Sequence, residues 1–224
     1  MSGRLAGLSS MATRHILGDL ARDYEARKGT PVEIRSLGGV EAAKLVRAGE
    51  ATDIVVLASK VMASLEEEGH LVKSSTKDFA RSEISIAVRA GLPLPSVANE
   101  QAVKRAVLNA RRICYSTGPS GDHLNALCAK WGVTRALVAP PGVPVAALVA
   151  NGEAELGFQQ LSELIGQPGI EIVGPLPPGI QAVTVFSAGV SVTSREPEAA
   201  HAFVAYLASV ETYGAKRRQG MEPA

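Results

Sequence analysis

The residues in this sequence best placed to do chemistry lie where an apolar run passes into a helical pattern. Ser9 and Ser10 precede one helix, the pair Gly38-Gly39 precedes a second that starts at Val40, and segment 116–121 precedes a third. Free backbone N–H groups and the helix dipole attract anions at such points, and serine and threonine hydroxyls add donors. The same residue types also serve as ordinary caps and turns. Three such junctions in one chain favour a small-anion site.

Within these junctions, the side chains and backbone groups that we expect to contact a ligand are Ser9, Ser10, Gly39, Val40, Ser116, Thr117, Ser120 and Gly121.

Two arginines and one histidine add charge and proton transfer to this set. Arg14 follows the first junction, Arg81 begins an extended segment, and His123 falls in the first turn after Gly121. A guanidinium suits a carboxylate, so Arg14 and Arg81 are candidate ligand cations. An imidazole titrates near neutral pH, so His123 and Arg14 are the predicted catalytic pair. A solvated surface position is the alternative for each.

Gln159 and Gln160 follow an apolar run and are the remaining candidate donors. Successive side chains of an extended segment point to opposite sides, so one amide is expected to face the ligand and the other the protein interior. Hydrogen bonding between loops is the alternative role for either.

Composition excludes several classes of function. Lys and Arg number 23 against 22 Asp and Glu, a formal net charge of +1, which argues against nucleic-acid binding. Cys114 and Cys128 form no CxxC or Cys/His cluster, so no metal is predicted and both cysteines are expected to pack in the core. The sequence contains no Walker A, GxGxxG, HExxH or GxSxG motif. No cofactor is predicted, which leaves cofactor-free proton transfer or plain binding.

The start of the chain contains no leader pattern, because MSGRLAGLSS enters a strand-like run at once. As written, the chain is expected to be cytoplasmic, or periplasmic if a leader has been removed. No apolar stretch has the length of a membrane span, so no membrane insertion is predicted.

Short apolar runs and helical patterns alternate along the chain, which predicts the α/β class. The predicted strands are 4–8, 32–34, 54–58, 81–88, 113–115, 156–158, 170–173 and 183–193. The predicted helices are 13–28, 40–48, 60–69, 100–110, 121–131, 143–150, 196–209 and 211–219. A break after the fourth strand and a return of the chain near its end predict two lobes, 1–82 plus 185–224 and 83–184.

Four stretches carry a family resemblance: LSSMATRHILGDLARDYEARKG, SLGGVEAAKLVRAGEATDIVVLAS, LEEEGHLV and VANGEAELGFQQLSEL. Together they resemble the periplasmic molybdate-binding proteins of ABC transporters, over nearly the whole chain. The resemblance implies a type 2 periplasmic-binding-protein fold, in which two α/β lobes joined by two crossing segments close on an oxyanion. It also implies an ABC transporter permease as a partner if the protein is exported.

The sequence departs from the molybdate pattern at two ligand positions. Ser10 matches the family's first-loop serine, but the second-loop serine falls on Gly39 and the later tyrosine falls on Gln160. The loss of two hydroxyl donors would leave a tetrahedral oxyanion poorly satisfied, at about 1–3 kcal/mol for each unpaired group. We therefore expect a ligand other than molybdate.

The motifs STGPSG, GFQQLSEL and VGPLPPGIQ are similar to a branch of this superfamily that includes aconitate isomerase. That resemblance implies a di- or tricarboxylate ligand and an isomerase that shifts a double bond by proton transfer. The alternatives are a non-enzymatic molybdate-type binding protein of an ABC transporter and an intracellular ligand sensor.

Overall fold

The computed structural model describes residues 3–224, and the chain folds as two compact units. The first unit contains the residues up to Ser82 together with Val185–Ala224, and the second contains Glu83–Thr184. The chain passes from the first unit to the second within strand β4 (Lys77–Arg89) and returns within strand β9 (Val183–Val190).

The first unit is a sheet with helices on both faces. Its strands follow the order β2-β1-β3-β9, with β1 parallel to β2 and β3, and β9 antiparallel to β3. The carboxyl ends of β1 and β2 therefore lie at one edge of the sheet, where α/β proteins place their ligands. Besides the two shared strands, the elements are β1 (Leu5–Ser10), α1 (Arg14–Lys28), β2 (Val32–Leu37), α2 (Gly39–Arg47), β3 (Ile54–Ala58), α3 (Ser59–Glu67), α8 (Pro197–Leu207), α9 (Tyr213–Arg218) and β10 (Glu222–Pro223).

Helix α1 shows how the sequence dictates these elements. Its buried face, Ile16, Leu17, Leu20 and Tyr24, has helical spacing and packs in the core of the first unit. The helix ends because Gly29 adopts a φ of +69°, a left-handed conformation that glycine tolerates best, and donates its N–H to a carbonyl of the last turn.

The second unit repeats the arrangement around a second sheet. Its strands follow the order β4-β7-β5-β6, with β5 parallel to β6 and β7, while β4 is antiparallel to both β7 and β8. The carboxyl ends of β5 and β7 thus lie side by side. The elements besides β4 are α4 (Glu100–Asn109), β5 (Ile113–Tyr115), α5 (Pro119–Trp131), β6 (Ala136–Val138), α6 (Val145–Ala150), β7 (Leu156–Gln160), α7 (Leu161–Leu164) and β8 (Ile170–Pro175).

The two faces of the second sheet have separate cores. Ile84, Ile86 and Val88 of β4 pack with residues of α4 and α5, whereas Ala87 packs with α6 and with Leu164 of α7. This alternation places Ser85 on the same face as Ala87, towards α6 and α7.

The predicted α/β class is confirmed, and each predicted strand and helix is present with ends displaced by a few residues. Strands β6 and β10 and helix α7 were not predicted. The first helix starts at Arg14, one residue later than expected, because a 3₁₀ turn at Met11–Thr13 precedes it. Cys114 and Cys128 are unpaired and buried, as expected, and burial raises the pKa of the Cys114 thiol to about 12.

Within residues 3–224, no helix combines the length and the apolar content that crossing a membrane requires.

Candidate functional site

The first junction ends strand β1 and is already hydrogen-bonded internally. Ser9 is fully buried, and its hydroxyl lies 2.8 Å from the hydroxyl of Ser36 on β2. Thr13 donates its hydroxyl to the carbonyl of Ser10 over 3.0 Å, which closes the turn into α1. Ser10 keeps 8% of its surface exposed, and within residues 3–224 its Oγ makes only a long contact of 3.5 Å with the Oγ1 of Thr13. Of the two serines, Ser10 is therefore the better ligand donor.

The second junction lies next to the first. A Cβ at position 39 would stand 3.8 Å from the Cβ of Ser10, an ordinary contact distance. Gly39 is the first residue of α2, and Val40 leaves 55% of its surface exposed. The structure thus brings Ser10, Gly39 and Val40 together at one edge of the first sheet.

Arg14 and Arg81, the two arginines of the predicted site, differ in what they contact. Arg14 is exposed and makes no ion pair or hydrogen bond within residues 3–224; it lines a groove of about 750 Å³ along α1 and β2, together with Ser36. Arg81 donates from Nε and from a terminal nitrogen to the carbonyl of Pro223, over 3.0 and 2.8 Å. Arg14 is free to bind an anion, whereas Arg81 holds the C-terminal strand.

The third junction is a tight loop between β5 and α5. Gly118 adopts a φ of +88°, and a Cβ at Gly121 would stand 1.8 Å from the carbonyl oxygen of Ser116. Only glycine fits at position 121, since any side chain would displace the loop backbone. Ser116 is half-buried, Thr117 is exposed and Ser120 is buried. The loop therefore presents backbone N–H groups at the start of a 13-residue helix.

His123 is held by a contact that sequence reasoning did not find. Its Nε2 lies 2.7 Å from the carbonyl oxygen of Ile180, so this nitrogen carries the proton and donates it. The imidazole is half-buried, and only Nδ1 remains as an acceptor. The pairing joins residues 57 positions apart, which no local pattern reveals.

Gln159 and Gln160 close strand β7 beside the third junction, because Phe158 pairs with Tyr115 across the parallel strands. Both glutamines are buried, and their amides diverge as expected from strand geometry. Gln160 donates from Nε2 to the hydroxyl of Thr184 over 2.7 Å, and Gln159 donates from Nε2 to the carboxylate of Glu163 over 2.8 Å. Within residues 3–224, neither amide oxygen has a hydrogen-bond partner.

Glu163, on α7, is an ionisable group that the predicted site did not include. Burial, the largest influence, raises the pKa of Glu163 to about 7, although hydrogen bonds from Gln159 and from the backbone N–H of Gln160 act in the opposite direction. Its position three residues after the N-cap Gln160 gives it the reach of a capping-box residue. Because the N-cap is glutamine and not serine or threonine, the standard capping-box signature is missing from the sequence here, and sequence reasoning did not find Glu163.

No group of three or more His, Cys, Asp or Glu residues within the described part of the chain is arranged to hold a metal ion.

The α/β units with these strand-end loops have the fold of periplasmic solute-binding proteins. The fold matches the periplasmic molybdate-binding protein of Azotobacter vinelandii with a TM-score of 0.79 at 20% identity, over 97% of this chain and 98% of that one. It matches the tungstate-binding protein of Desulfovibrio alaskensis with a TM-score of 0.70 at 15% identity, over 100% and 99% of the two chains.

The chain belongs to the family of bacterial extracellular solute-binding proteins, whose model matches residues 5–222. Among curated proteins it is similar to an aconitate isomerase from Pseudomonas sp. The two are 36% identical over an alignment of 230 positions, which covers 98% of this chain and 87% of that protein. The predicted resemblance to this superfamily is thereby confirmed.

Proposed function

We propose that this protein is a cofactor-free isomerase that moves a double bond in an unsaturated polycarboxylate such as aconitate. The observation that carries the proposal is the 36% identity to an aconitate isomerase over 98% of the chain. Such a reaction removes a proton from one carbon and returns it at another, so it needs a base and donors that stabilise the enolate-like intermediate.

The ligand-binding residues that we propose are the strand-end groups named above. In the first unit they are Ser9, Ser10, Arg14, Gly39, Val40 and Arg81, and in the second unit they are Ser116, Thr117, Ser120, Gly121, Gln159 and Gln160.

The donors in this set suit carboxylates better than a tetrahedral metal oxyanion. Arg14 has an unpaired guanidinium within residues 3–224, which can bind a carboxylate through two N–H groups. The loop from Ser116 to Gly121 offers backbone N–H groups, and fixed donors need no reorganisation as charge develops. Gly39 contributes no hydroxyl at the position where the molybdate pattern has one. The catalytic residues in this proposal are Arg14, as a carboxylate ligand, and His123, whose Nδ1 is one candidate for the proton-transfer step.

A thermal-shift screen with molybdate, tungstate, sulfate, citrate and the two aconitate isomers tests the ligand class. A ligand at one hundred times its Kd stabilises the folded state by about 2.7 kcal/mol, which raises the Tm of a chain of this size by roughly 5–10 °C. We expect that response with the aconitates, and a much smaller one in the Arg14→Ala variant. The Arg105→Ala variant, which removes an exposed arginine from α4, is the control.

The alternative is binding without turnover, either as the receptor of an ABC transporter or as a ligand sensor. A large shift with molybdate or tungstate and none with aconitate would favour this alternative. Fractionation of cells that express the complete gene separates the two roles, since a receptor meets its transporter outside the inner membrane.

A further inference from the structure

A polar cluster lies on the α7 face of the second sheet, where the core is otherwise apolar. Its members are Ser85, Gln159 and Glu163. Ser85 pairs with Gln159 across the antiparallel strands β4 and β7, which places both side chains on one face. Ala87 and Leu164 mark that face as the one covered by α7. The cluster is therefore built by strand register and by the helix that follows β7.

Two atoms of this cluster are buried without a partner in residues 3–224, the hydroxyl oxygen of Ser85 and the amide oxygen of Gln159. Ser85 is fully buried and Gln159 is 5% exposed. Buried polar atoms without partners are rare in folded proteins, because they lose their hydrogen bonds to water. Because these atoms belong to the same cluster as a carboxyl group, we expect a ligand or the proton of that carboxyl group to supply a missing hydrogen bond.

The Gln159 amide can form a hydrogen bond with Glu163 in either protonation state of the carboxyl group. When the carboxyl is charged, it accepts from Nε2 of Gln159, as in the structure. When it is protonated, its O–H can donate to the unpartnered amide oxygen after the amide rotates by half a turn. Such a neighbour lets the carboxyl gain and lose a proton without losing its hydrogen bond.

Charged groups around Glu163 are few and peripheral. Strand β7 and helix α6 carry no ionisable side chain, and Glu163 is the ionisable residue of α7. The second-unit part of β4 carries Glu83 and Arg89 and strand β8 carries Glu171, all exposed. Burial therefore sets the pKa of Glu163 at about 7, where a carboxylate is a stronger base than in water. Glu163 keeps part of its residue surface exposed, although its carboxyl group is buried.

From this geometry we propose that Glu163 is the base of the isomerisation, an inference that rests on the proposed function. The carboxylate takes a proton from a substrate carbon, and the electrons of the broken C–H bond delocalise into the adjacent double bond and carboxylate. The protonated Glu163 then returns the same proton to a second carbon, which moves the double bond. Gln159 holds the carboxyl group in place through both steps. No oxidant, reductant or metal takes part.

This assignment moves the base from His123 to Glu163. His123 has Nε2 bound to the carbonyl of Ile180, which fixes the ring as part of the packing of the second unit. Glu163 follows directly on the strand end that carries Gln159 and Gln160.

The test compares Glu163→Gln with Glu171→Gln, which removes an exposed carboxylate from β8 of the same unit. Isomerisation of cis- and trans-aconitate is followed against pH, and binding of both acids is measured by calorimetry. We expect kcat of the unsubstituted protein to rise with pH and level off above about 7, since the base must be ionised. In Glu163→Gln, kcat should fall by about 10²–10⁴ with KM changed by less than about threefold. Glu171→Gln should behave as the unsubstituted protein.

Two further variants keep the test decisive. Glu163→Asp retains a carboxyl group and should keep the rising pH profile at a reduced rate, even if Glu163→Gln does not fold. His123→Ala removes the other candidate base, and the rising pH profile should persist in that variant. If Glu163→Gln retains turnover and the pH profile while His123→Ala loses them, the inference is wrong and the proposed function stands. If the unsubstituted protein binds aconitate but does not convert it, the proposed function is wrong and this inference fails with it.

Discussion

Lys216 allows a quantitative prediction about stability, because its amine is buried with no counter-ion among residues 3–224. The side chain is fully buried, and Nζ has no hydrogen-bond partner within residues 3–224. The rings of Phe79 and Tyr213 lie 5.7 and 5.2 Å from Nζ, but this cation–π attraction is smaller than the cost of desolvation. Burial accordingly lowers the pKa of Lys216 from 10.5 to about 8.

Substitution of Lys216 by methionine removes the charge and keeps most of the volume. A fall in pKa from 10.5 to about 8 corresponds to roughly 3 kcal/mol at 1.36 kcal/mol per pKa unit. Above pH 10.5 the amine is neutral in both folded and unfolded protein, so it has no effect there. As the pH falls towards 8 the unfolded chain binds the proton first, and the folded state loses stability. Below about pH 8 that loss is complete.

The Lys216→Met variant should therefore be more stable than the unsubstituted protein by about 3 kcal/mol at pH 7, with the difference shrinking as the pH rises towards 10.5. Urea unfolding followed by circular dichroism at several pH values measures this. Lys60→Met, on the exposed surface of α3, is the control and should show no pH-dependent difference. A Lys216→Met variant that is less stable at pH 7, or a difference that is constant from pH 7 to 10, would refute the reasoning.

Three other substitutions test separate parts of the structure. Asp53→Ala removes a buried carboxylate that accepts hydrogen bonds from the backbone N–H groups of Ala6 and Arg195 and from the hydroxyl of Ser194. Burial alone would raise the pKa of Asp53, but these hydrogen bonds outweigh it and the pKa is lowered. We expect the free energy of unfolding, measured in urea at pH 7, to fall by about 3 kcal/mol, and a fall below about 1 kcal/mol would contradict this. The native contribution of Asp53 should also disappear as the pH falls through its lowered pKa. Gly121→Ala brings a Cβ against the carbonyl oxygen of Ser116, so it should lower the free energy of unfolding by about 1–3 kcal/mol and abolish the aconitate thermal shift. An unchanged melting curve would show that the loop backbone can relax. Gly39→Ser fits sterically and adds the missing hydroxyl, so a molybdate-dependent thermal shift should appear or increase, and no change would show that this hydroxyl does not govern anion choice.

The predictable part of the fold is the part with local signals. Helix α1 was recognised because its apolar spacing, basic last turn and terminal glycine all agree. Strand β6 was missed because Ala136–Val138 is three residues long and partly exposed, so it has neither the length nor the burial of a recognisable strand. Helix α7 was missed because four residues contain a single turn and show no periodicity.

In the candidate site, too, the features that could be predicted are those with a local sequence signal. The junctions at Ser10, Gly39 and Gly121 follow from strand-to-helix patterns, and the opposite directions of the two glutamines follow from strand geometry. The hydrogen bond of His123 to Ile180 and the burial of Lys216 depend on residues distant in sequence, so no motif indicates them. Lys216 begins a basic run, Lys216-Arg217-Arg218, that has the composition of an exposed helix end.

The central claim is tested most directly by proton NMR of cis-aconitate incubated with the purified protein in D₂O that contains EDTA. The account predicts that trans-aconitate accumulates to equilibrium, with deuterium entering the carbon that receives the proton whenever the protonated base exchanges with solvent before returning it. Chelation should leave the rate unchanged, because no metal takes part in the proposed reaction. A spectrum of cis-aconitate that stays unchanged, in a sample whose thermal shift shows that the acid is bound, would contradict the account and leave a binding protein.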